Sequence, residues 1–84
     1  MLFKNYPNPF NPADTIEFTL LRPEYTTLKI YNILGAGVAT LVSDKLQAGV
    51  HKYTFDGSRL ASGVYYYEIR SGKFREVKKM ILRR

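Results

Sequence analysis

The stretch Gly63-Val64-Tyr65-Tyr66-Tyr67-Glu68-Ile69-Arg70, with turn chemistry on both sides, most narrows the folds open to this chain. Gly63 ends a turn through Leu60-Ala61-Ser62, and Ser71-Gly72 opens the next. Side chains of a strand alternate between faces, so Tyr65, Tyr67 and Ile69 share one face and Val64, Tyr66, Glu68 and Arg70 the other. The first set is the more apolar and is assigned to the core, its phenol groups reaching for partners at the sheet margin. Beyond Ser71-Gly72 comes a second run, Lys73-Phe74-Arg75-Glu76-Val77-Lys78-Lys79-Met80-Ile81-Leu82, then Arg83-Arg84. Two such runs joined by Ser-Gly read as a β-hairpin.

The rest of the chain repeats this period. Thr15–Leu20 alternates, with Ile16, Phe18 and Leu20 inward and Thr15, Glu17 and Thr19 outward. Arg22-Pro23-Glu24 breaks it, and the period restarts with Leu28 and Ile30 inward and Lys29 and Tyr31 outward. Leu34-Gly35-Ala36-Gly37 reads as a turn, Val38–Val42 as a strand, Ser43-Asp44 as a break and Val50–Phe55 as a further strand. Asp56 or Ser58 suits the cap of one helical turn through Arg59-Leu60. At the start, Tyr6-Pro7-Asn8-Pro9-Phe10-Asn11-Pro12 holds three prolines, which suits an extended strap with one or both of the Tyr6 and Phe10 rings tucked in. In the last run neither phase is apolar throughout, and a β-bulge near Val77–Lys79 is expected to shift the phase and bury Phe74 with the Met80–Leu82 end. The fold class is all-β, a small antiparallel sandwich of six or seven strands.

With 84 residues there is room for one core. Residues 5–84 form that domain, and residues 1–4 read as a linker remnant or an artificial start. The absence of cysteine excludes disulfide stapling and thiol chemistry. No run approaches the about 18 apolar residues of a membrane helix. The net charge of +6 is unevenly placed. Residues 70–84 carry seven basic groups and one acid, whereas the first 69 residues carry six of each. A Lys- and Arg-rich strand either blunts a sheet edge or meets phosphates, and the charge run by itself favours the blunted edge over nucleic acid.

Catalytic chemistry has little to stand on. His51 is the only histidine and sits within a strand, where a surface or edge position is the ordinary reading. Asp14, Asp44 and Asp56 fall where turns are expected and belong to no acidic cluster. No nucleophile elbow, zinc motif or phosphate loop occurs. The chain reads as a non-enzyme without metal or cofactor.

Several motifs then stand in order: Tyr6-Pro7-Asn8-Pro9-Phe10-Asn11-Pro12, Ile30-Tyr31-Asn32-x-Leu34-Gly35, Leu46-x-Ala48-Gly49-x-His51, Asp56-Gly57, Leu60-Ala61-Ser62-Gly63-Val64-Tyr65 and Lys79-Met80. This set resembles the type A C-terminal sorting domain of type IX secretion cargo, similar in turn to the Ig-like domain of flagellar hook-capping proteins. The resemblance covers residues 5–84 and departs at Ala36-Gly37. It implies an Ig-like or fibronectin-III-like sandwich that sends a larger cargo across the outer membrane of a Bacteroidota-like bacterium. It also implies as partners the translocon, a sortase-like peptidase and, after processing, anionic lipopolysaccharide. The signal is expected in Gly63, Val64, Tyr65, Lys78, Lys79, Met80, Ile81, Leu82, Arg83 and Arg84, with any cleavage ahead of Asn5. An exposed last strand also predicts an edge-paired or strand-swapped homodimer at high concentration. The alternative is a passive Ig-like or carbohydrate-binding module of a secreted enzyme.

Overall fold

The computed structural model describes residues 2–7, 13–57 and 60–82, with side chains from residue 15 onward. Seven strands follow in chain order: β1 (Leu2–Pro7), β2 (Ala13–Leu20), β3 (Glu24–Asn32), β4 (Gly37–Leu46), β5 (Gly49–Asp56), β6 (Gly63–Ser71) and β7 (Phe74–Leu82). Antiparallel pairing assembles them into a three-stranded sheet, β1-β2-β5, and a four-stranded sheet, β4-β3-β6-β7. The fourth strand joins β3 instead of extending the first sheet, which makes this the fibronectin-III variant of the Ig-like sandwich.

The alternation decides what lies between the sheets. Ile16, Phe18 and Leu20 of β2 face Leu28 and Ile30 of β3 and Tyr65, Tyr67 and Ile69 of β6, all buried. Phe55, Met80 and Leu82 complete the core. Each such side chain contributes about 1.5–3 kcal/mol when fully buried. A buried Thr26–Ser71 hydroxyl pair, 3.0 Å apart, bridges β3 and β6 at one end of the layer.

The last strand runs without a bulge. Its register with β6 is unbroken from Ser71↔Phe74 to Gly63↔Leu82, so the expectation of a bulge near Val77–Lys79 is corrected. Phe74, Glu76, Lys78, Met80 and Leu82 all keep the inward phase, and Glu76 and Lys78 are half-buried there, 3.8 Å apart as an ion pair. An edge strand can hold such a pair at the rim, so a polar inner position does not require a phase change. The irregularities fall instead between β3 and β4, at Leu28/Lys29 and Ile30/Tyr31.

β4 also differs from expectation. It continues through Ser43 and Asp44 to Leu46, because exposed polar residues on an edge strand need not interrupt the ladder. Asp14 and Asp56 likewise lie in β2 and β5 and not in turns. β1 pairs with β2 from Leu2 onward, so residues 2–4 run into the sheet. Pro7 ends this edge strand, where a missing N–H is tolerated. The rest of the expected strap, residues 8–12, and the cap candidate Ser58 lie outside the described residues, while Leu60 N donates to Gly57 O at 2.9 Å and closes a single turn.

Candidate functional site

β7 forms an edge of the four-stranded sheet, hydrogen-bonded to β6 along one side. Its turn from β6 is built on Gly72, whose φ of +57° suits the first central position of a two-residue type II′ hairpin loop. Alternation then sorts the expected signal residues. Met80 and Leu82 are buried in the core, and Lys78 is half-buried on the same side. Lys79 and Ile81 point outward, Ile81 being 52% exposed. Arg83 and Arg84 lie outside the described residues.

The other expected cluster, Gly63-Val64-Tyr65, forms the start of β6, where the chain turns into the sheet. Gly63 has a φ of +150°, in the region that favours glycine. Two residues on, the buried Tyr65 donates its hydroxyl to Ala61 O at 2.9 Å. A tyrosine at the start of the sixth strand that bonds back to backbone just upstream is the tyrosine corner of Ig-like sandwiches. Its phenol reaches a partner at the margin, as anticipated, and that partner is the chain itself. Gly57 serves the same region: a Cβ there would stand 2.5 Å from Leu82 Cδ1, so the missing side chain makes room for the end of β7. Val64 remains half-buried on the outer face.

Two other motif residues hold loops. Asn32 Oδ1 accepts from Leu34 N and Ala36 N, both at 3.0 Å, and clamps the β3–β4 loop. The His51 ring stacks on Phe18 with centroids 5.5 Å apart and meets Gln47 O at 2.8 Å through Nε2, tying down the β4–β5 loop. This is a structural edge-strand histidine. Among the described residues no group of three or more His, Asp or Glu side chains converges to hold a metal.

On the outer face, Glu68 forms a network that periodicity alone did not reveal. It is only 8% exposed although it points away from the core. Arg75 Nε donates to its Oε2 at 2.5 Å, and Arg70 Nε approaches Oε1 at 3.3 Å. Burial pushes the Glu68 carboxyl up, but the hydrogen bond and charge of Arg75, joined by Arg70, outweigh it and hold the group below the usual carboxylate range. The signal that pointed here was Glu68 and Arg70 sharing a face, but Arg75 joins only through the β6–β7 register.

The secretion system C-terminal sorting domain family matches residues 4–83. The chain belongs to this family. The match spans nearly the whole sandwich, so the sorting domain and the fold coincide, and the type IX class expected from the motifs stands. Such a domain is a secretion sorting signal, which implies contact with secretion machinery and a secreted or cell-surface destination. A shorter similarity links the sorting domain to the flagellar P-ring protein of Marinomonas sp. (strain MWYL1), 51% identical over 39 residues and 40% of this chain. The chain spans 11% of that protein's length.

Proposed function

We propose that this sorting domain is a non-catalytic address that carries a larger cargo through the type IX translocon to surface attachment, and that the outward residues of β7 are part of what is read. The observation that supports this reading is the family match over residues 4–83, joined to a last strand that forms a sheet edge and turns Lys79 and Ile81 outward. A strand edge offers backbone donors and acceptors to a partner by β-augmentation, and flanking cations steer an acidic one. Of the expected signal residues, Tyr65, Met80 and Leu82 act by holding that strand in place, since a partner cannot reach them in the folded domain. A sortase-like peptidase, anionic lipopolysaccharide and a Bacteroidota-like host belong to the same proposal. The carbohydrate-module alternative draws less support, because the family matched over residues 4–83 is a sorting domain.

The test is export of a reporter fused ahead of this domain in a type IX-competent bacterium, comparing the intact domain with Lys79→Glu/Ile81→Ser. Both positions face solvent, so the double variant keeps its fold, checked by thermal melting. Surface delivery is expected for the intact domain and strongly reduced for the variant. Equal delivery by both removes β7's outer residues from the address, and no delivery by the intact domain removes the sorting reading.

A further inference from the structure

The two outer faces of the sandwich differ in charge. On the three-stranded sheet the outward charged groups of β2 and β5 are Glu17, Lys52 and Asp56, with Lys52 and Glu17 3.5 Å apart. On the four-stranded sheet the outward positions of the described strands carry Lys29, Lys45, Arg70, Arg75 and Lys79 against Glu68 alone. Within this basic face Arg70 and Arg75 are direct cross-strand partners. Like charges directly opposite each other are destabilising, and they persist here because one carboxylate serves both. Glu68 meets each guanidinium at Nε, the inner nitrogen of the fork, and the two side chains remain 60% and 58% exposed.

This is a preorganised pair. A guanidinium already fixed at Nε presents its terminal nitrogens with less rotamer entropy left to lose. Next to it a shallow groove of about 400 Å³ is walled by Tyr31, Tyr66 and Val77. We propose that this face docks an acidic segment of a protein partner, one carboxylate of which is received between Arg70 and Arg75 while an adjacent apolar side chain lies against Tyr66 and Val77. This deepens the sorting reading and rests on it, because it names the chemistry of the machinery's contact. The occupant is argued from charge: among the described side chains the basic excess lies on this face and not on the other, and the arginine forks match the geometry of a carboxylate.

The experiment has three arms. In the first, side-chain Nε–H resonances of Arg70 and Arg75 are followed during titration with a blocked Glu-Leu-Glu-Leu-Glu peptide, and with its Gln analogue. Shifts are expected with the acidic peptide only. In the second, the reporter export assay uses Arg70→Gln/Arg75→Gln/Glu68→Gln, which removes the network whole and leaves no lone buried charge. Delivery is expected to fall about tenfold while the melting transition stays cooperative. In the third, flotation on phosphatidylglycerol vesicles is compared for the intact and triple-variant domains, with no binding expected from either. Missing peptide shifts, or undiminished export of the folded triple variant, would overturn the proposal. So would flotation lost in the triple variant, which would assign the face to lipid. Failure of the intact domain to export would instead strike the sorting reading itself.

Discussion

At the scale of single residues, the motif positions divide into those buried in the fold and those that face outward. Tyr65 belongs to the first kind. Tyr65→Phe keeps the ring in the core and loses only the bond to Ala61 O, so a loss of about 1 kcal/mol is expected in urea denaturation. Glu68 supplies a pH dependence. The groups facing it are Arg70 beside it on β6, Arg75 and Val77 on β7 and Lys29 on β3. Its carboxyl is held below the ordinary range, so its stabilisation is fully present above the unfolded-state value of about 4.3 and is lost as pH falls through the lower folded value. Melting curves between pH 7 and pH 2 are expected to fall more steeply for the wild type than for Glu68→Gln. Parallel curves would mean that the network contributes nothing to stability.

At the scale of elements, legibility in the sequence followed position in the sheet. β2 and β6 are central strands with strict alternation, and their inward sets, Ile16-Phe18-Leu20 and Tyr65-Tyr67-Ile69, were readable directly. The edge strands were not. On β4 the polar Ser43-Asp44 pair looked like a break, and on β7 Glu76 and Lys78 looked like a phase error. In both cases the rim of the sandwich admits polar groups that a central strand excludes. The bulges between β3 and β4 depend on pairing, which no single strand encodes. The outward Lys79 and Ile81 were legible as members of the last strand, whereas the Glu68–Arg70–Arg75 network needed the β6–β7 register. The tie between Gly57 and Leu82 leads to a prediction at this scale. Gly57→Ala forces the buried Leu82 side chain to move, costing about 1–3 kcal/mol, and hydrogen exchange is expected to quicken first at residues 80–82. A uniform increase across both sheets would show that the contact is not local to the end of β7.

At the scale of the whole molecule, stability is small and shared. A domain of this size holds roughly 4–13 kcal/mol, while a single Leu or Met truncation in a core costs about 2–5 kcal/mol. Deleting residues 78–84 removes Met80 and Leu82 together, so the truncated domain is expected to lose near-UV circular dichroism and cooperative melting at neutral pH. Retention of both would mean that β1 to β6 close a core without the last strand. Because that deletion removes the fold together with the proposed signal, the outward substitutions are the cleaner probe of recognition.

The burial of Met80 and Leu82 against residues contributed as early as Ile16 also bears on synthesis. The ribosome makes β7 last among these strands, so a nascent chain cannot seal its interior until translation has passed Leu82. Any message arrested or clipped before that point lacks both the outward face of β7 and the closed interior behind it. On the proposed reading, the address thereby doubles as a proofreading mark: only a polypeptide translated past Leu82 displays it.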